Sequence, residues 1–166
     1  MSVFSAVFFR ASGEWGAAEV DLADAEGVDD LADAMRDAAA EHAPGAEDGT
    51  MVLLLEADDE WFGIVRLDDR EDPRVFLSDA RFVHENEMAA LLLDSGQIEA
   101  PEQVEGTGQK PLPDPGGDAS LLDDLGTPSG DLAALALAEG ALPADVLAEV
   151  AERAGFADRL DALRTL

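Results

Sequence analysis

Apolar and polar positions alternate along this chain in two distinct rhythms. Between residues 51 and 80 the apolar residues fall into three short blocks, MVLLL, WFGIV and VFL, divided by acidic segments at 56–60 and 68–73. Met51-Val-Leu-Leu-Leu55 is unbroken by polar residues, as in a strand covered on both faces. Trp61 to Val65 and Val75 to Leu77 complete a three-stranded meander. Upstream, Val3 to Arg10 is rich in β-formers, Ala11 to Glu14 supplies a turn, and Trp15 to Leu22 reads as a second strand of an N-terminal hairpin. Between hairpin and meander the period changes. Val28, Leu31, Ala32, Met35, Ala38 and Ala39 recur at i, i+3, i+4, which predicts a helix that follows Gly27 and runs to about His42, stopped by Ala43-Pro-Gly45. Asp29 and Asp30 stand in its first turn, where the helix dipole favours anions.

After the meander, Ser78 and Asp79 are suited to turning or capping the chain. A second helix is expected over roughly Glu85 to Asp94, with Met88, Leu91 and Leu92 inward and Gly96 as its stop. The pattern predicts an α+β protein: a five-stranded antiparallel sheet in ββαβββα order with helices packed on it. That domain spans residues 1–96. Residues 97–117, with four prolines and four glycines, read as a linker. Residues 118–166 read as a small C-terminal helical subdomain. There Asp118 is placed to cap a helix bearing Leu121, Leu122 and Leu125, which Gly126 ends. Thr127-Pro128 fits N-cap and N1 of the next, with Leu132 and Leu135 inward. Leu142, Val146, Leu147 and Val150 form the face of a third, and Gly155-Phe156 reads as a C′ stop followed by a buried contact. Leu160 and Leu163 belong to a last helix.

Charge changes this picture more than any motif. The 166 residues carry 38 acidic and 10 basic side chains, a net charge of −28. The excess is spread along the chain, net −18 up to Ser95 and −10 beyond it. Such a field repels nucleic-acid phosphates and anionic lipid and favours basic protein surfaces. Solubility alone, in a high-GC or salt-adapted organism, explains the same excess. The exposed helical positions near the C-terminus carry Asp123, Asp124, Asp131, Glu139, Asp145, Glu149 and Glu152 against three arginines, the wrong sign for a helix-turn-helix on DNA. No apolar run approaches the roughly 18 residues that span a bilayer, and the N-terminus lacks the basic region of a signal peptide, so a cytoplasmic protein is expected.

Candidate chemistry is sparse. There is no cysteine, which removes disulfides, thiolate catalysis and Cys-ligated zinc. His42 and His84 stand alone. The carboxylates of Asp58-Asp59-Glu60 and Asp68-Asp69 lack the spacing of a calcium loop and suit solvated turns. No nucleophile elbow or phosphate-binding glycine motif is present. No catalytic residue, cofactor or metal is expected. A small-ligand sensor, with Trp15, Trp61 and Phe62 lining a pocket, is the alternative to an interaction protein. For a partner surface the candidates are Asp58, Asp59, Glu60, Asp123 and Asp124 with the helical leucines Leu132 and Leu135.

The opening strand, the D-D-E-W-F hairpin running into I-V-R, the strand ending Leu77-Ser-Asp-Ala80, and the tail D-A-S-L-L-D-D-L-G followed by L-P-A-D-V-L-A-E-V-A-E-R-A-G-F-A-D-R-L resemble the actinobacterial tRNA adenosine deaminase-associated protein family. The resemblance runs in order over most of the chain and is weakest over residues 97–117. It implies association with a tRNA-specific adenosine deaminase, beside whose gene the family lies, and carries over no catalytic residues. The chain is not itself that deaminase. A zinc deaminase needs cysteine ligands and an H-x-E motif. Here the histidines stand in His42-Ala43-Pro44 and His84-Glu85-Asn86.

Overall fold

The computed structural model describes residues 3–11, 13–22, 24–43, 45, 49–57, 60–68, 72–84, 86–95, 98, 115–138 and 142–164. Its centre is an antiparallel sheet. The strands are β1 (Val3–Ala11), β2 (Glu14–Glu19), β3 (Thr50–Ala57), β4 (Trp61–Asp68), β5 (Arg74–Leu77) and β6 (Gly116–Gly117), ordered β2-β1-β3-β4-β5-β6. Neighbours pair antiparallel throughout; β3 faces β4 in the register Leu54 to Ile64 and Ala57 to Trp61.

Period-two alternation divides each central strand between two cores. Met51, Leu53, Leu55, Trp61, Val65 and Leu67 point to one face, where α1 (Val28–His42) lays Val28, Leu31, Ala32, Met35 and Ala39 against them. A 3₁₀ turn (Ala80–His84), the short α2 (Glu87–Leu91) and a second 3₁₀ turn (Leu92–Ser95) cover the rest of that face through Val83, Ala89 and Leu92. Val52, Leu54, Phe62, Ile64 and Phe76 point the other way. They meet a 3₁₀ segment (Ala119–Leu125), α3 (Ser129–Leu137), α4 (Pro143–Ala154) and α5 (Ala157–Arg164). The unbroken apolar run of β3 is therefore required: helices lie over both of its sides. The C-terminal helices share one core with the sheet.

The sheet has six strands, not five. The sixth lies in the segment read from sequence as linker, and it escaped because Gly116 and Gly117 have no side chains to alternate. Their pairing is by backbone, opposite Leu77 and Phe76. Glycine is needed at 117: φ is +98°, and a β-carbon there would sit 2.1 Å from the Val75 carbonyl oxygen.

Helix punctuation follows the sequence closely at the C-terminus. Gly155 takes a left-handed conformation (φ 98°), and the N–H groups of Gly155 and Phe156 both donate to the Ala151 carbonyl, each at 2.9 Å. Gly126 ends the 3₁₀ segment in the same way. Two boundaries differ. Asn86 caps α2, its Oδ1 accepting from the Met88 and Ala89 N–H groups, and the helix is shorter than 85–94 because this cap starts it at Glu87 and a 3₁₀ turn takes over at Leu92. Pro128, not Thr127, holds the N-cap position of α3. The capping carboxylate is Asp123, whose Oδ1 accepts from Ser129 N at 2.8 Å. Among the described residues no helix is long and apolar enough to cross a membrane.

Candidate functional site

Alternation along β4 brings an arginine where the pattern supplies Phe62 and Ile64, onto the face covered by the C-terminal elements. Arg66 is 4 % exposed. A charge taken that far from water costs several kcal/mol unless it is paired and hydrogen-bonded. Every direction of its guanidinium is used. Nη1 donates to the Leu121 carbonyl at 2.8 Å and to Asp124, Nη2 donates to Asp124 Oδ2 at 2.8 Å, and Nε lies 3.0 Å from Asp68 Oδ2. Asp68 also accepts from Thr50 Oγ1 at 2.9 Å and from Arg74 at 3.3 Å, and Arg74 reaches Asp118, which caps the 3₁₀ segment through Ser120 N at 2.9 Å. The result is a polar clamp tying β3, β4 and β5 to the start of the C-terminal helical layer. The hydrogen bond from Arg66 holds the Asp124 carboxyl below the ordinary carboxylate range, against the opposing effect of burial. Asp124 in turn raises the Arg66 guanidinium further.

The residues proposed from sequence as a partner surface scatter. Asp58 and Asp59 lie outside the described residues. Glu60 is exposed in the β3–β4 turn, about 20 Å along the strand from Arg66 and hence from Asp124. Asp123 and Asp124 are exposed, yet one caps α3 and the other closes the clamp. Leu132 is fully buried and Leu135 half-buried against the same core. Leu142 does not join the inward face of α4, as its spacing suggested. It occupies the extended N-cap position and is 43 % exposed.

The aromatic trio does not converge either. Trp61 and Phe62 are adjacent in a strand and so enter opposite cores. Trp15 sits elsewhere, edge-on to Phe156 at 5.0 Å with the Arg10 guanidinium 4.8 Å from its ring centroid. Of the histidines, His42 closes α1, its Nδ1 3.0 Å from the Ala38 carbonyl oxygen; the His84 side chain lies outside what is described. Among the described residues no three His, Asp or Glu side chains gather as a metal site requires.

What the surface does offer is contrast. Asp29, Asp33, Asp37 and Glu41 repeat at intervals of four down the exposed side of α1, a like-charge spacing that destabilises an isolated helix. Arg36, beside Asp33 at 3.7 Å, is the one arginine of this helix, which ends on His42. The C-terminal layer mixes its signs: Arg153 joins Asp131 at 2.9 Å and Glu149 at 3.0 Å. That layer also carries two exposed leucines, Leu137 at 48 %, which the sequence reading did not single out, and Leu142, which it placed inward.

These features define an α+β protein built on an antiparallel sheet, with helices packed on both of its faces. The chain belongs to the Rv3753c-like tRNA adenosine deaminase-associated protein family, whose model matches residues 3–157. It is 38 % identical over 117 residues to Protein Rv3753c of Mycobacterium tuberculosis, a match covering 69 % of this chain and 64 % of that relative, so it spans somewhat under two thirds of the relative's length. No solved structure matches.

Proposed function

We propose that this chain is a non-catalytic accessory protein that binds a tRNA-specific adenosine deaminase, its acidic exterior meeting a basic face of the enzyme. The observation that carries the reading is the net charge of −28, taken with the family to which the chain belongs. An enzyme that handles tRNA is expected to present a basic face to phosphates. An anionic protein of this strength is drawn to such a face, with a faster encounter and a marked dependence on salt. Bound there, it competes with tRNA or shields the enzyme until substrate arrives. The like-charge stripe on α1 supports this reading, because its repulsion is relieved when a cationic surface approaches. The same sign argues against direct contact with nucleic acid or an anionic membrane. The cytoplasm, where tRNA is modified, is the compartment that fits.

The test is a binding titration of the full chain with the deaminase at about 20 mM and about 500 mM salt, straddling the range over which surface charges become screened. Binding at low salt that weakens by about tenfold or more at high salt is expected. Absence of binding at low salt overturns the proposal.

A further inference from the structure

Trp15 gathers two arginines that the anionic surface leaves unneutralised. The chain carries 38 acidic side chains against 10 basic ones, so a cation rarely lacks a carboxylate. Arg36, Arg66, Arg74, Arg81 and Arg153 each pair with an aspartate. Among the described residues Arg10 and Arg159 are the arginines without an acidic partner, although Glu14 and Asp158 stand exposed close by in the chain. Both meet the same tryptophan. Arg10 is directly opposite Trp15 in the β1–β2 register, its guanidinium 4.8 Å from the ring centroid. Arg159 of α5 donates its Nε–H to the Trp15 carbonyl oxygen at 3.0 Å. The indole is half-buried and held edge-on by Phe156, while both arginines are exposed at the outermost strand of the sheet.

A guanidinium stacked on an aromatic ring keeps the N–H groups in its own plane free for a bidentate acceptor. Arg159 commits only Nε to the protein, which leaves the fork of its two Nη groups open. Such forks match a carboxylate, and arginine and tryptophan are the side chains that most often anchor an interface. We infer that Arg10, Trp15 and Arg159 form the anchor at which this chain receives a carboxylate, an Asp or Glu side chain, of the partner protein. Local charge calls for an anion, and the field of the whole chain selects its carrier. Nucleic acid, anionic lipid and a second copy of this chain all meet the full repulsion of −28. A carboxylate set in a basic protein face does not. The anchor rests on the accessory reading above and adds register to it: long-range attraction brings the two faces together, and the one pairing of inverted sign fixes how they sit.

The test compares wild type, Arg10→Glu and Arg159→Glu in titrations with the deaminase at low salt. Each chain alone is also sedimented, and titrated with inorganic phosphate while its tryptophan fluorescence is followed. Both positions are exposed, so thermal midpoints near that of wild type confirm intact folding. Each glutamate variant should bind the deaminase about tenfold or more weakly than wild type. The sign decides, because each substitution makes the chain more negative, and attraction by the overall field alone predicts tighter binding to a basic partner. Equal or tighter binding by both variants overturns the anchor and leaves the accessory reading standing. No binding by wild type overturns both. A wild-type dimer that either variant dissociates assigns the group to a second copy and overturns the choice of partner. A saturable fluorescence change with phosphate that Arg10→Glu abolishes assigns it to a free oxyanion and overturns that choice as well.

Discussion

Phe156→Ala is expected to lower the unfolding free energy of the entire chain by about 4 kcal/mol, the range for deleting a buried aromatic ring. Phe156 is 1 % exposed and belongs to the core shared by sheet and C-terminal helices. Its ring stacks on Phe8 of β1, centroids 4.3 Å apart at 19°, and receives Trp15 of β2 edge-on at 5.0 Å. Such pairs add about 0.5–1.5 kcal/mol beyond burial. The position is fixed from behind by the left-handed turn at Gly155, so the backbone cannot easily move to close the cavity. Urea unfolding, followed by both tryptophan fluorescence and far-ultraviolet dichroism, checks this. One transition shifted to lower urea with its slope retained is the expected result. A loss under about 1 kcal/mol, or separate sheet and helix transitions, would show that residues 118–166 fold apart from the sheet.

Arg66→Ala comes next, with an expected loss of about 3 kcal/mol. The substitution removes the hydrogen bonds to Leu121, Asp68 and Asp124 and empties a side chain's volume beneath the 3₁₀ segment. Its carboxylate partners retain access to water, with side chains 24 % and 66 % exposed, so they can rehydrate. Arg66→Met, which restores apolar volume, should therefore cost less, about 1 kcal/mol. The pH dependence has a definite sign. Because the native state holds Asp124 below its unfolded value, its contribution is complete above about pH 4 and fades as pH falls through the lowered native value. The wild-type stability curve should bend downward in acid, and Arg66→Met should flatten that part of it. An equal acid slope in both proteins would contradict the clamp.

Some of this was legible in the residues, and for physical reasons. The unbroken run at 51–55 requires apolar cover on two sides, and both covers are present. The Gly126 and Gly155 stops were readable because left-handed turns depend strongly on glycine. β6 was not, since strand patterns are read from side chains and Gly116 and Gly117 have none. The described residues of the candidate partner surface take up separate places in the fold. Spacing places Leu132 on a helix face without saying that the sheet occupies that face. Asp124 reads as one acid among many until the fold brings Arg66, 58 positions earlier, to meet it. The separation of Trp61 from Phe62 was available all along, because consecutive strand residues point to opposite sides. Leu142 was assigned inward by extending the α4 periodicity one position beyond the helix.

The most direct measurement is amide hydrogen exchange of the full chain, alone and with saturating deaminase at low salt. Protection gained over a contiguous stretch of exposed amides, with the buried amides of β3 and β4 unchanged, is the predicted result. Exchange that is identical with and without the enzyme along the whole chain would contradict the account.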